Sequence, residues 1–281
     1  EVSAAEGLCY ASANIFAQSG GKFVLTEDID MTGVTSVVTR ASGDSYTSAL
    51  IGTSAGTLVI DGNGHKISNL PGMLISRTGN AKKVEIKNLT LENPAVVYDL
   101  NDELTGADQA AVGAFVGFAS TSDEIVIYNC HINGGYIKGG HWTGGFVGYA
   151  CGYNTENNGP VFEKLTISNC SISDAEVYGK GSVGGIIGHA TGDVATLVKI
   201  ESPKVLRNTI TSVGSSTNKA GSVVATVGCA GSEAWNREKG GVYLTSCTVA
   251  GNTVKSNNVV NTKFWGRQGN DTGKLYIDGN E

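Results

Sequence analysis

Proline is nearly missing from this chain, and so are concentrated charge and long apolar runs. Only 4 of its 281 residues are proline and 16% are charged. Its 20 basic and 26 acidic residues leave a formal net charge of −6, and no Lys/Arg run forms a patch, which argues against a nucleic-acid partner. No apolar stretch approaches the length of a membrane span, so no transmembrane segment is expected in this chain. No signal sequence is present either; because residue 1 is not Met, a cleaved leader or a lipid anchor upstream of it is an expectation. The 6 cysteines include no CxxC pair and no regular disulfide framework. What is plentiful is glycine, 40 residues, set in a chain that is 40% hydrophobic and can therefore build a core.

A short phrase recurs. Ala49-Leu50-Ile51-Gly52 is followed by Gly113-Ala114-Phe115-Val116-Gly117, Gly144-Gly145-Phe146-Val147-Gly148 and Gly184-Gly185-Ile186-Ile187-Gly188. Weaker copies stand at Gly72-Met73-Leu74-Ile75, Gly221-Ser222-Val223-Val224-Ala225 and Lys263-Phe264-Trp265-Gly266. Repeats of this kind mark architectures in which each unit buries its apolar face only against its neighbours. The final Gly of each phrase is expected to permit a bend or close packing that hides both apolar columns.

A second column runs beside the first: Asn69, Asn88, Asn129, Asn169, Asn208 and a degraded Ser246, each preceded two residues earlier by Ile or Leu. Inward side chains of a strand are an even number apart, yet Ile127 and Cys130 are three apart, so the phase slips at the Asn. Asn tolerates the left-handed backbone that such a bend needs, and stacked Asn amides can bond in a ladder. The first interval is about twenty residues and the later ones about forty. One coil plus long loops per later interval fits, because each holds one copy of the glycine phrase. A propeller needs four antiparallel strands per blade, and regular tight turn pairs are not found. The expected fold is all-β: a single-stranded right-handed parallel β-helix over residues 21–281, with an N-terminal capping α-helix over residues 1–20. Ser3 and Glu6 have capping-box spacing, and Ala4, Leu8, Ala11 and Ile15 follow at helical intervals. A first strand is expected through Phe23–Met31. At the other end Leu275-Tyr276-Ile277 repeats the wording of Leu58-Val59-Ile60, and Trp235 is expected to fold back over that last coil.

The order helix, then Leu25-Thr26-Glu27-Asp28-Ile29-Asp30-Met31, then Ile51-Gly52-Thr53, then Asp61-Gly62-Asn63-Gly64-His65-Lys66-Ile67-Ser68-Asn69-Leu70 resembles bacterial surface β-helix proteins with GLUG repeats. The Gly-Gly-Phe-Val-Gly phrases resemble that motif itself, and Ala225 and Trp265 depart from it. The resemblance implies an adhesin-like protein, secreted or attached to the cell surface.

Cys130, Cys170 and Cys247 share a column with Leu70, Leu89 and Thr209, which reads as core packing. Cys130, His131, His141 and Cys151 lack zinc-ligand spacing. The loop carrying Asp99, Asn101, Glu103 and Asp108 has oxygen ligands suited to calcium but fails the EF-hand pattern, and a solvated acidic loop is the plainer reading. No cofactor is implied.

Three functions fit such a repeat. A polysaccharide lyase or glycoside hydrolase needs paired carboxylates or a cationic base; Asp28, Asp30, Asp61 and His65 could meet on early coils, although Asp-Gly-Asn-Gly reads equally as a turn. Binding of a carbohydrate or cell-surface ligand outside the cell fits better. Phe118, Tyr149 and His189 follow the second motif Gly in successive copies, with Trp142, Tyr136 and Tyr153 nearby, and ring faces suit sugars. Thr226 and Arg267 share that column and favour its exposure. A passive stalk is the third reading.

Overall fold

The computed structural model describes residues 1–14, 20–34, 49–97, 111–119, 122–150, 153–154, 159–160, 162–190, 197–214, 220–227, 241–256, 264–268 and 275–278. Among them the chain is a stack of parallel sheets with one α-helix, a parallel β-helix-like fold. The four main sheets have 13, 7, 5 and 4 strands. Successive strands go to different sheets. Ser122–Tyr128 lies in the long sheet, His131–Asn133 in the seven-stranded one, Tyr136–Gly139 in the five-stranded one and Trp142–Gly144 in the four-stranded one. Val147–Ala150 then re-enters the long sheet, and Phe162–Ser168 starts the next passage. Each strand pairs in parallel with its equivalent one passage later: Ile127 with Ile167, Ile132 with Ile172, Ile137 with Val177, Thr143 with Val183. One passage through all four sheets therefore fills each interval of about forty residues.

The long sheet forks. Ala49–Asp61 and Met73–Lys87 are long strands paired along their length. Ile75 and Arg77 of the second pair with Val116 and Phe118, whereas its Val84 and Ile86 pair with Ile125 and Ile127. Later passages split this long strand into two short ones. Among the described residues the exception to parallel pairing is Tyr153–Asn154 with Gly159–Pro160, which pair antiparallel between the two halves of one passage.

Two corners bend the chain with left-handed residues. Asn88, Asn129, Asn169, Ser202, Ser246 and Asp278 have φ of 52, 50, 53, 52, 53 and 48° at the corner from the long sheet to the seven-stranded one. Asn69, Asn93, Gly134, Asp174, Arg207 and Gly251 have φ of 57, 47, 67, 57, 57 and 69° at the next corner. This corrects the single Asn column expected from the sequence. Asn69 belongs to the second corner, and the fourth place in the first column is taken by Ser202, not Asn208. A corner selects any residue that tolerates positive φ, so one identity does not mark one column. The same shift removes Leu70 and Thr209 from the cysteine column, which keeps Leu89.

Inward positions form one continuous core, with Ile127, Ile132, Ile137, Phe146 and Val147 all at 0% exposure. Phe115 and Phe146 stack with centroids 4.9 Å apart. Both apolar columns of the glycine phrase are buried, as expected, through Val223 and Val224, whereas Phe264 and Trp265 of the last copy are half-buried. Cys130 and Cys170 are free thiols in this core, and burial pushes the Cys130 thiol well above its usual range. At the start, Val2 bridges Leu25 and the helix Ala5–Asn14 buries Leu8 against the core. Its Ser12 hydroxyl donates to the Leu50 carbonyl. Trp235 lies outside the described residues.

Candidate functional site

Outside the main core lies a second, smaller apolar cluster of Ala111, Phe118, Tyr149 and Trp142. It forms where the four-stranded sheet meets one branch of the long sheet. Parallel register stacks Arg77, Phe118, Tyr149, His189 and Thr226 in one column. Ala111, Trp142 and Ser182 form the facing column. The two columns are zipped together. Trp142 stacks on Tyr149 with centroids 4.3 Å apart and planes 23° apart. Phe118 stacks on Tyr149 at 5.3 Å, and the Arg77 guanidinium lies 5.2 Å from the Phe118 centroid. His189 meets Tyr149 edge-on at 5.0 Å. Further along, the Ser182 and Thr226 hydroxyls are 2.7 Å apart.

Glycine makes this seam possible. A Cβ on Gly148 would come within 2.3 Å of the Val112 nitrogen, and one on Gly188 within 2.6 Å of the Thr143 nitrogen. The two sheets thus touch backbone to backbone, and neighbouring rings are pressed together. Phe118 and Tyr149 are consequently 6% and 7% exposed. The expected open aromatic column is corrected in that respect: its first two rings cover each other, because strand spacing of about 4.8 Å leaves stacked rings in contact. Trp142 and His189 stay half-buried and His141 is exposed. The His141 ring meets the Trp142 indole edge-on at 4.7 Å. The accessible rim therefore offers an indole edge and two imidazoles. The Arg267 and Tyr153 side chains lie outside the described set. Arg77, Ala111 and Ser182 were not singled out from sequence. The signal for Arg77 was there, since Ile75-Ser76-Arg77 aligns with Val116-Gly117-Phe118.

Tyr136 stands apart from this seam, on the outer face of the five-stranded sheet, at 38% exposure. It precedes Trp142 on the same passage, separated from it by the corner at Gly140-His141. Lys138 lies over the Tyr136 ring at 5.2 Å and pairs with Glu176 at 3.5 Å.

The candidate catalytic group is drawn together only in part. His65 Nδ1 lies 3.2 Å from Asp28 Oδ1, which also accepts the Lys66 backbone N–H at 3.1 Å. Asp30 Oδ1 accepts from Asn69 Nδ2 at 2.9 Å, Thr32 Oγ1 at 2.7 Å and Thr32 N at 2.9 Å. Asp61 Oδ1 accepts from Asn63 N at 2.9 Å and Asn88 Nδ2 at 3.2 Å. Asp30 and Asp61 thus serve turns and corners, as short polar side chains do. Asp99, Asn101, Glu103 and Asp108 lie outside the described residues, as does Cys151. Among the described residues no group of three or more His, Cys, Asp or Glu is placed to hold a metal ion.

No protein-family model matches this chain, and no curated protein does. Among solved structures it is similar to a crystal structure from Bacteroides ovatus, of a protein provisionally named an immunoglobulin A1 protease. The TM-score is 0.64 at 14% identity, covering 99% of this chain and 73% of that one. At that identity the likeness carries the fold alone.

Proposed function

We propose that this chain is a non-catalytic binding module, a single-stranded right-handed β-helix of the GLUG-repeat type. In this reading it acts outside the cell in an adhesin-like role and takes a carbohydrate or a cell-surface ligand. One observation carries the reading: Trp142 is backed by Tyr149 at 4.3 Å and flanked by His141 and His189, beyond the main core. A ring fixed from behind keeps its remaining surface in one place, and imidazoles beside it donate to and accept from hydroxyls. Sugars present that combination of an apolar face and a polar edge. The engagement of Asp30 and Asp61 in turn bonds also favours binding over hydrolysis.

A glycan-array screen paired with a reducing-end assay on pooled polysaccharides tests this. Retention without turnover, weakened in Trp142→Ala, is the expected result. Turnover would favour the lyase or hydrolase, and neither retention nor turnover would leave a passive stalk.

A further inference from the structure

The outer face of the five-stranded sheet carries two tyrosines on neighbouring strands. Val96, Ile137, Val177 and Ile210 point inward at 0% exposure, so their neighbours must point out. Parallel register then sets Tyr136 beside Glu176 in one column, and Val97, Lys138, Tyr178, Thr211 and the exposed Lys255 in the next. Tyr136 and Tyr178 are diagonal neighbours across two strands. Val97 is 49% and Tyr136 38% exposed, and they are two of the few large apolar side chains so exposed among the described residues. Charge on this face is balanced where it is densest, since Lys138 pairs with Glu176 at 3.5 Å.

We propose that this face is a platform for a linear neutral β-linked glycan lying along the stack, with one sugar over each strand. The inference rests on the carbohydrate-binding reading above and names the ligand class and the register. Parallel strands repeat every 4.8 Å or so, close to the rise of one sugar in an extended β-linked chain. A bound chain would therefore stay in step with the sheet over its five strands. Sugars would lay their apolar faces on Tyr136, Tyr178 and Val97. Sugar hydroxyls would accept from Lys138, donate to Glu176 and do either with the Thr211 hydroxyl. A neutral chain keeps that ion pair intact, whereas a uronate would compete with Glu176 for Lys138.

The test is calorimetric titration with neutral β-1,4-linked gluco-, manno- and xylo-oligosaccharides of increasing length. Affinity should rise with each added sugar up to the five strands of the sheet and then level off. Tyr136→Ala and Tyr178→Ala should each weaken binding about three- to tenfold, the range of one ring contact. Their melting temperatures should stay near that of the parent, because both rings lie on the outer face. Affinity that is flat with length would overturn the proposal. So would tighter binding of oligo-uronates than of neutral chains. If both tyrosine variants bind normally while Trp142→Ala weakens retention, the platform falls and the seam reading stands. If no glycan is retained by the parent protein, the binding reading falls as well.

Discussion

The indole of Trp142 lies on the ring of Tyr149 at 4.3 Å, and only the first of the two has a surface left for a ligand. That asymmetry separates stability from binding. Tyr149 is 7% exposed between Phe118 and Trp142, so Tyr149→Ala should cost about 3–5 kcal/mol, as buried aromatics do. Trp142→Ala should cost less while weakening glycan retention. Paired denaturant curves and retention assays would show this; equal destabilisation with no loss of retention would make the seam purely structural.

Asn208 is buried at the second corner and bonds to the half-buried Asn252 of the next passage. Asn208 is 1% exposed. Its side chain accepts from Ala175 N at 3.0 Å and donates to Ile172 O at 3.1 Å and Asn252 Oδ1 at 3.0 Å. Asn208→Ala strands those buried groups and should cost roughly 1–3 kcal/mol for each one that water does not reach. Asn129 is exposed and bonds to Asn88 at 3.0 Å. Asn129→Ala should cost only the left-handed strain, about 1 kcal/mol. Urea unfolding of both variants should rank them in that order.

Thr143 sits between Val112 and Val183 in a buried column, and its hydroxyl has no hydrogen-bond partner among the described residues. Thr143→Val keeps the shape and removes a desolvated polar group. Stability should rise by about 1 kcal/mol, seen as a higher midpoint in urea at unchanged slope. A lower midpoint would mean the hydroxyl is bonded in solution.

Glycines in this chain serve two separate needs, and alanine distinguishes them. At Gly148 a Cβ would meet the Val112 nitrogen at 2.3 Å. Backbone cannot step aside, so Gly148→Ala should cost at least about 3 kcal/mol. At Gly64 nothing lies within 4 Å but φ is 82°, so Gly64→Ala should cost only about 1–2 kcal/mol of strain. Thermal melts of the two variants would show the gap.

Acid should lower stability by titrating bonded carboxylates. The Lys66 N–H holds Asp28, the Asn69 amide holds Asp30 and the Arg207 guanidinium holds Asp174 below the usual carboxylate range. Each is depressed in the folded state, so its stabilisation is present above the unfolded value of about 3.9 and is lost as pH falls through the folded value. Asp30→Asn should flatten the acid limb of a stability–pH profile. Burial first, then Asp278, pushes the Cys247 thiol up to about 11. That contribution has the opposite sense: it is present below the unfolded value of 9.0 and lost as pH rises towards 11. Cys247→Ala should flatten the alkaline limb.

The fold class was legible because parallel stacking writes itself into the chain as repetition. The paired apolar columns of Phe146 and Val147, the core role of Cys130 and Cys170, and the strand at Leu275–Ile277 all followed from wording alone. Register at the corners was less legible. Ser202 replaces Asn in the fourth passage and Arg207-Asn208 imitates the motif at the wrong corner, since the backbone requires only a tolerated positive φ. Loop lengths between passages then hid the slip.

By itself the sequence determined that this protein repeats, that its repeats stack and which residues lie inside, because burial periodicity is a local property of strands. Only the tertiary structure decided which outward residues meet. Two columns carried by consecutive strands of each passage close into the Trp142–Tyr149 seam because glycines let two sheets touch. Tyr136 joins Tyr178 rather than Trp142 because the chain turns a corner between them. Outward residues are not selected by burial, so their partnership is fixed by the angle between sheets, which no single strand encodes.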